Sequence, residues 1–296
     1  MPKFDIVSIP GDARLDTEQL GSKPKFWALL NGQRWLFKEA RPGTGEDWAE
    51  KAAAEIARAV GLNAATVELA EFAGRPGCLS LNFIAVAAGE ALVHGNEVLA
   101  WSLTGYDKAK TFRQADHTLE NIQGAIRALF AADIADNMLT ELASYMVFDA
   151  LIGNTDRHHE NWGLRLQRAE SPRSLSVAVA PSYDHASSLG RELQDARRES
   201  LLKSNGMLAY LAKARGGIFK DADQPHGANP LRVVQDAAQA YPAHFAPALK
   251  RVAELDPDVI HDVLASIPPQ RASEQAKAFA ETLVLSARQS LIELLK

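Results

Sequence analysis

Short apolar runs separated by turn formers fill the first forty residues, with hydrophobic or aromatic clusters at 4–9, 25–30 and 34–40. Asn31-Gly32 lies between WALL and WLFKE and readily takes the left-handed backbone of a tight turn, so the pair predicts a β-hairpin. An Ala-rich stretch over 46–60 has helical composition and stops at Gly61, a C-terminal cap glycine. Two further strands are expected over 66–72 and 78–87, joined by a turn around 74–77. The N-terminal third therefore reads as a sheet with one helix.

Beyond about residue 85 the pattern turns helical. Helices are expected over 119–130 and 136–152, the second apolar on nearly every side and so buried. Residues 164–166 and 176–179 read as two short strands around a polar turn. After Gly190 a charged stretch, ELQDARRESLLK, reads as a solvated turn or an activation-like segment in which Arg197 and Arg198 meet a phosphate or substrate. Asn229-Pro230 and Asp256-Pro257 are cap-plus-first-turn signatures, and a closing helix is expected over 273–296.

Composition narrows the class. Of 296 residues, 32 are Lys or Arg and 37 Asp or Glu, for a net charge of −5, and 47% are hydrophobic, which suits one large globular domain or two packed lobes. The acidic balance argues against nucleic acid as the main partner, because phosphate-backbone affinity comes from clustered Lys and Arg. One cysteine, Cys78, cannot form an internal disulfide and reads as filler in a core strand. No apolar run nears the ~18 residues of a membrane span, so a cytoplasmic protein without membrane contact is expected.

The densest polar cluster is residues 151–164, LIGNTDRHHENWGL, after the buried helix and before a short strand. A metal-hydrolase reading would use Asp156, His158 and His159, but adjacent histidines rarely converge on one ion and the i, i+4 histidine pair of zinc peptidases is absent. Asp156 and Asn161 instead have the Asp-x-x-x-x-Asn spacing of a kinase catalytic loop, where Asp positions the attacking hydroxyl and Asn holds magnesium. A second metal ligand is available in Asp184, after the apolar run 177–180. Asp149, inside the buried helix, is expected to hold the following loop, with Trp162 and Tyr183 packed beneath it.

A nucleotide also needs phosphate contacts. Lys38 lies in the apolar strand WLFKEA, where a charge must be paired or face solvent, and strand periodicity alone does not decide which. Glu50 shares the helix stripe of Ala53, Ala57 and Val60 that should pack on the sheet, whereas Glu55 lies with Lys51 and Arg58 on the face expected to be wet, so Glu50 is the expected partner of Lys38. Gly21, Ser22 and Lys23, just before the hairpin, can cradle anions with backbone amides, although they form neither a Walker A nor a GxGxxG motif.

In the order GSKPK, WLFKEA, EDWAEKAAAEIARAVGL, IGNTDRHHENWGL and PSYDHASSLG, residues 20–190 resemble the HipA-like serine/threonine kinases, bacterial enzymes related in fold to phosphatidylinositol kinases. The resemblance implies an α+β, bilobal, protein-kinase-like fold. Its N-terminal lobe (1–84) would be a small antiparallel sheet with one helix, its C-terminal lobe (85–296) larger and mostly helical, and the ATP and Mg²⁺ site would sit between them. By the same likeness Lys38 meets the nucleotide phosphates with Glu50 as its partner, Asp156 is the catalytic aspartate, Asn161 and Asp184 bind magnesium, and His158 braces the loop. Leu81 and Phe83 would belong to the adenine-contacting hinge, and Ser22 would sit where family members can carry an autophosphorylated serine. Lys38 arrives too early for an additional N-terminal subdomain, so the chain reads as a compact, kinase-core-only member. The resemblance implies an unidentified protein substrate and raises a helix-turn-helix antitoxin as partner. A lipid or small-molecule kinase, or a nucleotide-binding regulatory module, are the alternatives.

Overall fold

The computed structural model describes residues 3–17, 24–110, 113–168 and 175–296. In chain order the elements begin with strands β1 (Ile6–Ser8), β2 (Arg14–Thr17), β3 (Lys25–Leu30) and β4 (Gln33–Glu39), helix α1 (Glu46–Ala59), and strands β5 (Val67–Phe72), β6 (Arg75–Leu81) and β7 (Glu90–His94). Helices α2 (Gly95–Ser102), α3 (Leu119–Leu129) and α4 (Ala132–Ile152) follow, then strands β8 (Gly163–Arg168) and β9 (Leu175–Val179). The rest is helical: α5 (Asp195–Lys203), α6 (Met207–Lys213), α7 (Pro230–Ala240), α8 (Pro242–Glu254), α9 (Pro257–Ala265) and α10 (Glu274–Ile292).

Two compact units emerge, and neither is a single run of chain. The first takes in Met1–Phe83, Asp184–Leu208 and Leu255–Ser286; the second takes in Ile84–Tyr183, Ala209–Glu254 and Ala287–Lys296. The chain passes out of the first unit after Phe83 and returns to it at Asp184.

The first unit is built on a six-stranded sheet in the order β1-β5-β6-β4-β3-β2, antiparallel except for the β1–β5 pair. Asn31 and Gly32, at φ 51° and 74°, form the tight turn between β3 and β4, as the dipeptide predicts. The β5–β6 turn differs from expectation. It is Ala73-Gly74, both with positive φ, and β6 starts at Arg75 and ends at Leu81 instead of spanning 78–87. One sheet face carries Phe26, Phe37, Leu79 and Ile9, with Phe72 against them. On the other, Cys78 and Val67 pack with Ala54 of α1. Gly61, at φ 67°, ends α1 as expected.

Lys51 and Glu55 are not on a wet face. Lys51 is buried and bonds Glu55 at 2.7 Å, Glu68 at 2.8 Å and the Val67 carbonyl at 2.8 Å, so three acceptors compensate the burial of one ammonium. The charged stretch after Gly190 is likewise ordered as α5, where Arg198 is buried and bonds Asp195 and the Gly190 carbonyl, while Arg197 is exposed.

The second unit surrounds α4, whose last turns are buried all round, as its unbroken apolar sequence predicts. A three-stranded antiparallel sheet, β7-β8-β9, lies in the same unit. β7 and α2 were not legible in the sequence: EALVH is too short for a clear period, and α2 is a short helix that opens on Gly95 and Asn96, two poor helix formers. Asn229 and Asp256 cap α7 and α9 through their side chains, as their Asn-Pro and Asp-Pro pairs predict. No helix among the described residues is long and apolar enough to cross a membrane.

Candidate active site

Strand alternation decides where Lys38 points. Phe37 enters the aromatic face beside Phe26 and Phe72, so Lys38 projects to the opposite face, beside its cross-strand partner Cys78 and on the side covered by α1. There its Nζ lies 3.0 Å from Oδ1 of Asp184. Glu50, on the sheet-facing side of α1, is 1% exposed and bears on the same ammonium. Burial works against the charge of Lys38, but the carboxylates of Asp184 and Glu50 outweigh it and hold the group protonated, above the ordinary lysine value. Sequence reasoning paired Lys38 with Glu50; the structure sets the charge of Glu50 on that ammonium and adds an ion pair with Asp184.

Asp184 adopts a left-handed backbone at φ 60°, which aspartate tolerates better than most residues. Leu189 and Gly190, at φ 56° and 67°, repeat that conformation at the end of the same segment. Gly190 is doubly required, because a Cβ there would lie 2.4 Å from the Phe279 ring.

The second group of candidate residues belongs to the other unit and follows α4. Gly153, at φ 65°, ends the helix, and a run of local bonds then shapes the loop. The Asn154 side chain accepts from the Asp156 N–H at 3.1 Å, and the Asn161 Nδ2 donates to the Asp156 carbonyl at 2.7 Å. The His158 N–H also donates to that carbonyl, at 2.8 Å. Asp156 stands exposed at the apex while Asn161 is buried beneath it. Because Asn161 spends its amide nitrogen on the loop, its side-chain oxygen is the atom left to serve as a ligand. That oxygen and the Asp184 carboxylate are the hard donors magnesium prefers, so these residue types fit the ion.

The brace under the loop is Arg157. Its guanidinium meets both oxygens of Asp149 on α4, at 2.7 and 2.8 Å, and bonds Ser182 Oγ at 3.0 Å and the carbonyls of Asn161 and Tyr183. Asp149 also accepts from the Asn154 side chain at 2.8 Å. Arg157 loses hydration on burial, but Asp149 more than compensates and raises its pKa further. His158 is half-buried, accepts a local bond from the Glu160 N–H at 3.2 Å and lies 3.9 Å from the Glu160 carboxylate.

Ring hydrogen bonds of Trp162, His117 and His159 complete the frame. The Trp162 indole donates to His117 Nε2 at 3.1 Å, and His117 Nδ1 donates to the Gly217 carbonyl at 2.8 Å, which fixes the neutral tautomer. His159 is fully buried and bonds the Tyr106 hydroxyl at 2.7 Å. At the start of α2, Gly95 and Asn96 donate their N–H groups to the carbonyls of Trp162 and His159, at 2.9 and 2.8 Å.

Residues 18–245 match the family model described as the HipA-like C-terminal domain, more than half of the chain. The chain belongs to this HipA-like family. Among solved structures, the Helicobacter pylori proinflammatory kinase CtkA is similar over 98% of this chain and 97% of its own, with a TM-score of 0.80 at 19% identity. The Shewanella oneidensis HipA, HipB and operator DNA complex matches 96% of this chain with a TM-score of 0.54 at 15% identity, and this chain spans 65% of the length of the chain it matches there. These likenesses show a kinase-like fold, with the sheet-bearing part and the larger helical part that the sequence predicts. No curated protein matches the sequence.

The HipA-like frame thus brings Lys38, Glu50 and Asp184 together in one unit and Asp156, His158 and Asn161 together in the other. Gly21, Ser22 and Lys23 lie outside the described residues. Leu81 ends β6, but its N–H donates to the Thr66 carbonyl and that of Asn82 to the Arg34 carbonyl, so neither amide is open to an adenine edge; half-buried Phe83 follows. Sequence reasoning missed Arg157 and His117. The signal for Arg157 was its place beside Asp156 with Asp149 one helix turn before the loop. His117 had none, because its partners lie 45 and 100 residues away.

Proposed function

We propose that this chain is a cytoplasmic, ATP- and magnesium-dependent kinase that transfers phosphate to a Ser or Thr hydroxyl of a protein. Family membership and the kinase-like fold support a kinase-type function, and one observation carries the reading further. A sheet lysine held charged by two carboxylates, one from the adjacent helix and one from Asp184, is the arrangement a phosphate-binding lysine requires. That aspartate is half-exposed and set in a left-handed backbone, a setting that clusters at functional sites.

In this reading Lys38 turns from Asp184 to the nucleotide phosphates and neutralises their charge, with Glu50 keeping it in place. Asp184 and the side-chain oxygen of Asn161 would hold magnesium, which when bound offsets phosphate charge. Asp156 accepts a hydrogen bond from the acceptor hydroxyl and aims it, and Arg157 and Asp149 keep that loop rigid so that little is lost to reorganisation. Phe83 and the backbone after β6 would meet the adenine, and Gly21, Ser22 and Lys23 the phosphates.

Acceptor competition tests the substrate class. With labelled ATP and Mg²⁺, label should enter protein from a lysate as phosphoserine or phosphothreonine; label confined to lipid extracts or small hydroxyl compounds would overturn the protein assignment. A HipB-like partner, of the kind held in the Shewanella complex, would copurify with the tagged chain from its native host.

A further inference from the structure

Helix α1 does more in the first unit than carry Glu50. One turn earlier, Glu46 lies at i−4 on the same side of the helix and is also buried. Its carboxylate accepts from the Arg191 guanidinium at 2.8 Å, from the Arg41 backbone N–H at 3.0 Å and from the Arg41 guanidinium at 3.2 Å. Beside it, the Gly45 N–H donates to the Arg191 carbonyl at 2.9 Å. Arg191 is therefore fastened at the start of α1 by side chain and backbone at once, and its other guanidinium nitrogen reaches Ser187 Oγ at 3.3 Å.

Arg191 closes the segment that opens with Asp184. Between them the backbone is left-handed at residues 184, 189 and 190, and short bonds from Ser188 to His185 and from Arg191 to Ser188 fold it tightly. A segment this contorted holds its shape only where its ends are fixed. One end is the Asp184–Lys38 pair and the other is the Arg191–Glu46 pair, and α1 supplies a carboxylate at each, Glu50 and Glu46.

We infer that Arg191 is a positioning residue that, through its ion pair with Glu46, sets the Asp184 carboxylate for magnesium and makes that setting depend on α1. This rests on the reading of Asp184 as a metal ligand. Its sign separates it from simple charge: removing a cation from the segment should by charge alone ease magnesium binding, whereas loss of positioning hinders it.

The test compares wild type with Arg191→Ala and Arg191→Lys in the full chain, using Arg58→Ala, which removes an exposed guanidinium near the other end of α1, as the control. Two quantities are read: the Mg²⁺ concentration giving half-maximal phosphate transfer at saturating ATP, and the hydrogen exchange of residues 184–191. Arg191→Ala should raise the magnesium requirement at least fivefold and speed exchange at least tenfold, with Arg191→Lys between it and wild type. A magnesium requirement within twofold of wild type, or unchanged exchange in the folded variant, would overturn the inference. If wild type itself transfers no phosphate, the kinase reading fails, and exchange alone still decides whether Arg191 holds the segment.

Discussion

Arg157 and Asp149 are 4% and 3% exposed, so each depends on the other for its compensation. Removing one partner leaves a buried charge that water cannot reach, at a cost of about 3–5 kcal/mol. Arg157→Ala should lower the free energy of denaturant unfolding by that amount; a loss below about 1 kcal/mol would show that the pair is not the brace. His159 and His117 set a pH dependence. Burial, helped by nearby His158, lowers the pKa of His159 to about 4, and burial lowers that of His117 to about 3. Unfolded histidines bind protons below about pH 6.5. From there down to about pH 4 the unfolded chain thus holds more protons than the folded one, and stability falls as pH falls, by up to about 1.4 kcal/mol per pH unit for each histidine. Urea unfolding at pH 7 and pH 5 should show a smaller loss for His159→Gln than for wild type, and equal losses would contradict the burial of a neutral ring.

Among the elements, those announced by local chemistry were legible. The Asn-Gly hairpin, the glycine stop of α1, the Asn-Pro and Asp-Pro helix starts and the buried α4 all follow from a few adjacent residues. Elements tied by distant pairing were not: β7 is a strand because β8 lies beside it, and the start of α5 is held by Ser273, whose hydroxyl donates to Asp195 from 78 residues away. The candidate site divides in the same way. Lys38, Asp156, Asn161 and Asp184 stood out by type and spacing, while the ion pair of Lys38 with Asp184 joins residues 146 positions apart and no local pattern could give it. Gly217 shows how a remote element bears on the loop. A Cβ there would lie 2.6 Å from the Arg157 carbonyl carbon and 2.7 Å from the His158 nitrogen, both backbone atoms that cannot swing aside. Gly217→Ala should therefore displace the loop, lowering kcat about a hundredfold for a shift near 1 Å, with a stability loss of only about 1–3 kcal/mol. An unchanged kcat would separate this glycine from the loop's function.

For the molecule as a whole, the α+β kinase-like fold and HipA-like membership agree with the order of motifs along the chain, whereas the division into units could not be read from it. Residues 184–208 and 255–286 return to the sheet-bearing unit after a long excursion, so the carboxylate beside Lys38 comes from beyond the 153–161 loop in sequence. The most direct measurement is transfer of the γ-phosphate of labelled ATP, with Mg²⁺, by wild type and by Asp184→Ala. Label carried by the wild type alone, with the variant folded and at least a thousandfold slower, is the predicted result. Equal label from both, or none from a folded wild type that binds ATP, would contradict the assignment of this chain as a kinase acting through Asp184.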